Sequence, residues 1–216
     1  MKKLQLLIYF ILLCTFGSHA QYKPIWVKNY GEDADQKFQD VSFQNNLSIL
    51  ATGSVKNKET GKNAPSLVKI SSGGMPVWEK IIDLPFSCTI ETLVTDNESH
   101  IYLGGATLDD PYLPYTDFFL IKTNEKGDTL WSKIIKGPGY DRINHMKMSQ
   151  DHNLFVGGFQ DVQYYDEHRA VIMKLDTAGN QLWKYTYSGS SGEELLTIHA
   201  TADGGVAFAG FERTTK

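Results

Sequence analysis

Cysteine is almost absent from this chain: 216 residues carry two, Cys14 and Cys88. Basic excess is absent as well. Twenty-one Lys and Arg against 25 Asp and Glu leave a net charge of −4 and a pI near 5.8, which excludes the electrostatic footprint of a nucleic-acid binder. Long apolar runs are also lacking. The longest, Leu4 to Phe16, covers 13 residues, short of the about 20 that a spanning helix needs. No His-Glu-x-x-His pair, no Gly-x-Ser-x-Gly elbow and no phosphate-binding glycine loop occurs. What the chain does have is 4 Trp, 11 Tyr and 11 Phe beside 19 Gly, a mixture typical of turn-rich β structure. Its length suits one domain or two small ones.

Met1-Lys2-Lys3, the apolar run and the small residues at Ser18 and Ala20 have the layout of a secretory signal peptide over residues 1–20, cleaved near Ala20. A lipoprotein signal would use Cys14, but Ile11-Leu12-Leu13 lacks the small residue expected before it. Cleavage places the mature chain, 21–216, outside the cytoplasm: periplasmic, cell-surface or extracellular, with no transmembrane segment. Losing Lys2 and Lys3 takes the charge from −4 to −6. Cys88 then stands alone, so no intrachain disulfide can form, and a lone Cys reads as a small buried apolar side chain.

The four tryptophans, Trp26, Trp78, Trp131 and Trp183, are spaced by 52, 53 and 52 residues. Other columns keep the same phase. Twenty-seven residues after each Trp stands a glycine: Gly53, Gly105, Gly158 and Gly210. Small residues precede them (Thr52, Gly104, Gly157, Ala209), and apolar residues alternate ahead of that, as in Ile101 and Leu103. Phe38, Ile90, Ile143 and Leu195 form another column, as do Val41, Leu93, Met146 and Ile198. Turn glycines at 74, 127 and 179 lead into three of the Trp strands. Units therefore start near 22, 74, 127 and 179, and all length variation falls between the column glycine and the next Trp. Each unit holds four candidate strands, which in the third copy are Leu130–Ile135, Ile143–Ser149, Leu154–Gly158 and Ala170–Leu175. This predicts an all-β chain, a β-propeller of about 52-residue four-stranded blades. An all-β sandwich does not explain so strict a period.

Two segments carry a family resemblance. Asp117-Phe-Phe-Leu-Ile-Lys-Thr-Asn-Glu-Lys-Gly-Asp-Thr-Leu-Trp131-Ser-Lys and Thr201-Ala-Asp-Gly-Gly-Val-Ala-Phe-Ala-Gly210 resemble the repeats of secreted bacterial β-propellers, which are distantly similar to quinoprotein-type (PQQ-type) blades. The resemblance covers residues 21–216. It implies that the Leu-Ile-Lys strand is third in its blade, that the Trp strand is outermost and docks one blade on the next, and that the innermost strands lie near 38–43, 90–95, 143–149 and 195–200. In that register the fourth unit stops after two strands, so the expected architecture is an incomplete arc of about four blades.

Chemistry is sparse by comparison. His145 and His199 fall on proposed innermost strands and could face a channel. Asp176, Gly179 and Trp183 are spaced unlike the Asp-box of sialidase propellers, and Cys88 alone cannot supply the cysteine pair of quinoprotein enzymes. No cofactor is expected. The acidic turns Gly31–Asp35, Gly137–Asp141 and Gly189–Glu194 have carboxylates suited to calcium. The variable loops Ser54–Ser66, Ala106–Thr116 and Gln160–Arg169 lie on the same face as those turns. Tyr112, Tyr115, Tyr164 and Tyr165 in these loops are the candidate ligand-binding residues, suited to a protein or glycan surface or else packing the loops onto the blades. The expectation is a secreted binding or scaffold module. The alternatives are an enzyme acting on extracellular glycan and a truncated fragment without independent activity.

Overall fold

The computed structural model describes residues 27–28, 30, 35–44, 47–108, 115–161, 168–187, 189 and 192–212. Among them the chain forms strands and no helix. The first sheet holds β1 (Gln36–Phe43), β2 (Ile49–Lys56), β3 (Asn63–Ile70) and β4 (Pro76–Ile81). The second holds β5 (Cys88–Thr95), β6 (Ile101–Thr107), β7 (Phe118–Thr123) and β8 (Thr129–Ile135). The third holds β9 (Asp141–Met148), β10 (Leu154–Asp161), β11 (His168–Leu175) and β12 (Gln181–Thr186). A two-stranded sheet of β13 (Glu193–Ala200) and β14 (Val206–Glu212) follows. Each sheet runs in chain order with antiparallel neighbours, and the Trp strand closes each four-stranded sheet as its outer edge. This is an unclosed, propeller-like arc, as the repeat implied. The sequence period, counted from the turn glycines, is offset from the sheets, which begin on the strand after each Trp strand.

Alternation along the strands puts apolar side chains on both faces of the second and third sheets, because each of these is sandwiched between its neighbours. Leu50 and Leu67 of the first sheet meet Ile90, Leu93, Leu103, Phe119 and Ile121 of the second. Tyr102, Phe118 and Leu120 leave its opposite face to meet Ile143, Met146, Val156 and Val171 of the third. Phe155 and Ile172 then meet Leu195 and Ile198 of the last hairpin. Cys88 is buried in the first of these interfaces.

The glycine column has a backbone cause. Every innermost strand carries a bulge against its neighbour, between Phe38 and Asp40, Ile90 and Thr92, Ile143 and His145, and Leu195 and Thr197. There the carbonyls of Lys37, Thr89, Arg142 and Glu194 fill the space that a Cβ would take at Gly53, Gly105, Gly158 and Gly210. The preceding column is small for a different reason: Ile143 and Met146 lean on Gly104, and Leu195 and Ile198 on Gly157.

The tryptophans connect sheet to sheet. The Trp78 ring lies 3.2 Å from the position of a Cβ on Gly127, and the Trp131 ring 3.0 Å from one on Gly179. Both glycines sit at positive φ (79° and 77°) in the turn before the next outer strand. Beside them, Lys80 Nζ bonds Asp128 and Lys133 Nζ bonds Asn180, each at 2.9 Å. Near the start of the chain, Lys28 Nζ meets Met75 Sδ at 2.9 Å and the Tyr30 hydroxyl donates to the Gly74 carbonyl at 2.8 Å. These residues lie against the first sheet as β4 lies against the second. Trp26 itself lies outside the described residues. Trp183 is 40% exposed and tilts against Phe155 at 6.0 Å.

Candidate functional site

The bases of two variable loops and one acidic turn are tied together at one end of the arc. Thr116, at the base of the second loop, forms a parallel bridge with Tyr140 of the Gly137–Asp141 turn. The Asp141 N–H donates to the Thr116 carbonyl at 2.8 Å, and the Thr116 hydroxyl donates to the Asp141 carbonyl at 2.8 Å. The Gly137 N–H donates to Asp117 Oδ1 at 3.1 Å. From the base of the third loop, the Asp161 N–H donates to the Tyr140 carbonyl at 3.0 Å. The turn is thereby fixed between the second and third sheets.

Asp141 lies at the centre of this arrangement with 0% exposure. Its carboxylate folds back over Gly137, leaving no room there for a Cβ, and Asp161 fills the corresponding space beside Gly139. The Asp141 carboxylate is buried beside the Asp161 N–H, which favours its charged form only weakly. Burial pushes the Asp141 carboxyl up to about 7. Lys184 opposes that rise, while Asp117 and Asp161 add like-charge repulsion. Asp141 therefore holds a proton close to neutrality. The same geometry recurs one unit on, where Glu193 is buried and folds over Gly189.

A row of ionisable groups extends from this centre to the last hairpin. Asp161, 1% exposed, has an oxygen 3.4 Å from His168 Nε2, and His168 Nδ1 is 3.0 Å from Glu194 Oε1. His168 stacks flat on Phe159, with centroids 4.4 Å apart and planes 9° from parallel. The stack fixes the imidazole between the two carboxylates. His168 and Glu194 are the partly exposed members of the row. Chemically, the row can hold a proton at Asp141 and accept hydrogen bonds or cationic groups at its His168–Glu194 end.

Of the tyrosines expected to bind ligand, Tyr115 is half-buried and meets Tyr140 edge-on, centroids 6.3 Å apart. Tyr112, Tyr164 and Tyr165 lie outside the described residues, as do residues 1–20 and 31–34. Among the described residues no three His, Cys, Asp or Glu side chains converge as a metal ion would require. His145 is half-buried, and its Nδ1 accepts the Ile198 N–H at 3.2 Å. Burial pulls its pKa down. His199 is exposed. Asp176 caps its own turn, accepting the N–H groups of Ala178 (2.9 Å) and Asn180 (2.8 Å).

Sequence reasoning reached the acidic turns but missed Asp161 and His168 as partners of Asp141 and Glu194. They sit at the two ends of the third loop, where only the hairpin pairing of Asp161 with His168 reveals their proximity. At the opposite end of the arc, a cleft of about 430 Å³ between the second and third sheets is lined by Asp96, Lys122, Asp151 and His152. Asp96 is committed there: it accepts the Tyr102 hydroxyl at 3.0 Å and lies 2.9 Å from His100 Nδ1.

Compared with known proteins, the chain matches no family model and no curated protein. Its functional reading rests on the geometry above.

Proposed function

We propose that this chain is a secreted bacterial β-propeller binding or scaffold module, distantly similar to quinoprotein-type blades, that engages a protein or glycan partner at the loop-bearing end of the arc. The observation that carries this reading is the fastening of both loop bases to the Gly137–Asp141 turn, which gives variable loops a rigid platform. Tyr115 at the loop base, and Tyr112, Tyr164 and Tyr165 in the loops, supply contact surface of the amphipathic kind that such partners favour. The signal-like residues 1–20 support the extracellular assignment. Screening the purified chain against glycan arrays and extracellular proteins tests the reading. Binding should fall when Tyr164 and Tyr165 are replaced together by Ala, with the melting temperature unchanged. Turnover of any substrate that His145→Ala or His199→Ala abolishes would overturn it.

A second reading, a propeller enzyme acting on extracellular glycan, draws on one observation: Asp141 holds its proton near neutrality beside Asp161. That carboxyl is closed to solvent, so a substrate would meet His168 and Glu194 first. Glycan hydrolysis lost in Asp141→Asn and His168→Ala alike would favour the enzyme. A cooperative melt of the chain would speak against a fragment without independent activity.

A further inference from the structure

The cleft at the end of the arc away from the variable loops holds one charge that the fold itself does not use. It lies between the β5–β6 and β9–β10 hairpins, and its volume of about 430 Å³ is in the usual range of small-ligand sites. Asp96, Asn97, Glu98 and Lys122 of the second sheet line it, together with Asp151 and His152 of the third. Every lining residue is polar, so the cleft suits a hydrogen-bonding ligand and not an apolar one.

Lys122 and Lys174 share a repeat column and a pose, each ammonium over an aromatic ring: Tyr102 at 5.0 Å and Phe155 at 5.2 Å. Lys174 Nζ also binds Asp151 Oδ2 at 2.7 Å. The position equivalent to Asp151 in the second sheet, three residues before the strand, is Glu98. Glu98 is open to water and lies 3.6 Å from His100 Nδ1, and Lys122 has no ion pair among the described residues. Asp96 is held by His100 and the Tyr102 hydroxyl. Asp96 and Asp151 are thus satisfied within the fold, and the half-buried Lys122 is the cation left to a ligand.

One available cation calls for one anionic group. The three carboxylates of the same walls repel a second negative charge, which disfavours phosphate and other multiply charged anions. Those carboxylates and Asn97 are also suited to sugar hydroxyls. His152 takes the left-handed hairpin position (φ 59°) that Gly204 fills in the last unit, and its Nδ1 lies 3.5 Å from Asn97 Nδ2 of the neighbouring sheet. We propose that this cleft is a binding site for a hydroxyl-rich monoanion, a single hexuronic acid unit. Its carboxylate pairs with Lys122, and its hydroxyls bond Asn97, Asp151 and His152. The site is independent of whatever engages the loop-bearing end.

Calorimetric titration of the purified chain with sodium glucuronate tests it, with glucose and inorganic phosphate as comparisons. Glucuronate should bind with millimolar affinity, and glucose and phosphate more weakly by about tenfold or more. Lys122→Met keeps the aliphatic stem over Tyr102 and should weaken glucuronate binding by about tenfold. His152→Gly suits the left-handed backbone and should weaken it by about threefold. The proposal is overturned if glucuronate does not bind at concentrations up to about 50 mM. It is equally overturned if glucose or phosphate binds as tightly, or if folded Lys122→Met binds glucuronate as the wild type does. Should Lys122→Met fail to fold, as its melt would show, the comparison of ligands and His152→Gly decide without it.

Discussion

The Thr89 carbonyl occupies the space that a β-carbon on Gly105 would need, and the bulge that puts it there also frees a neighbouring N–H to reach the adjacent sheet. Just past the bulge, the Leu93 N–H donates to Asp40 Oδ2 of the first sheet at 2.8 Å. The Met146 N–H meets the Thr92 hydroxyl at 3.3 Å, and the Ile198 N–H meets His145 Nδ1 at 3.2 Å. The acceptors differ (carboxylate, hydroxyl, imidazole) but the position is the same. The bulge, the glycine and the stitch between sheets form one unit of construction.

Gly105→Ala should therefore be among the most damaging single-methyl changes in the chain. The obstacle is backbone, which cannot rotate away, so the bulge must flatten and the Leu93 stitch is strained with it. A loss of about 3 kcal/mol is expected, near the upper end for overpacking. Gly73→Ala, where a Cβ would meet nothing within 4 Å, serves as the control and should be close to neutral. Denaturant unfolding of the two variants measures the contrast.

Trp131→Ala and Trp183→Ala should differ although both remove the repeat's signature residue. The Trp131 ring is sandwiched over Gly179, flanked by Lys133, and meets Tyr102 edge-on at 6.2 Å. Its loss opens an inter-sheet cavity and should cost about 3 kcal/mol. Trp183, 40% exposed, has less packing to lose, and about 1 kcal/mol is expected. Equal losses in chemical denaturation would contradict the docking role of these rings.

The repeat period and the Trp and glycine columns were legible because they recur in identical residue types at fixed spacing. The strand order followed from the resemblance to quinoprotein-type blades. That the Trp78 and Trp131 rings pack on the turn glycine of the next unit was not legible. Nor was the bulge. It inserts one backbone residue without any change of composition, so Gln39, Glu91, Asn144 and Leu196 share a bulge position but no chemistry. The buried carboxylate was hidden for a related reason. The first position of the innermost strand is Gln36, Cys88, Asp141 and Glu193 in turn, and a column this varied gives no periodic signal. What distinguishes Asp141 is the packing of its carboxylate over Gly137 and its proximity to Asp161, which only tertiary structure reveals.

His145 is expected to act in stability and not in turnover. Replacing it with Ala leaves the Ile198 N–H without its acceptor at a half-buried site, for a loss of about 1 kcal/mol. His145→Gln can restore an acceptor oxygen and recover part of it. Thermal melts of the two variants distinguish this from a purely steric role, in which Gln and Ala would be equally poor.

Asp141 should make the fold less stable as pH rises towards neutrality. In the folded chain burial holds its carboxyl protonated up to about 7, whereas in the unfolded chain it ionises near 3.8. Between those values the folded state binds the extra proton, so stability falls with rising pH, the reverse of a salt-bridged carboxylate. The full effect across the window is roughly 4 kcal/mol, complete once pH passes the folded value. Asp141→Asn removes the titrating group while keeping shape. The variant should gain on the wild type progressively from about pH 4 to pH 7 and run parallel to it above. Urea unfolding at closely spaced pH values measures that difference. If the two proteins differ by a constant amount across the whole range, Asp141 does not titrate in this window and its burial must be relieved by a cation or donor close to its oxygens.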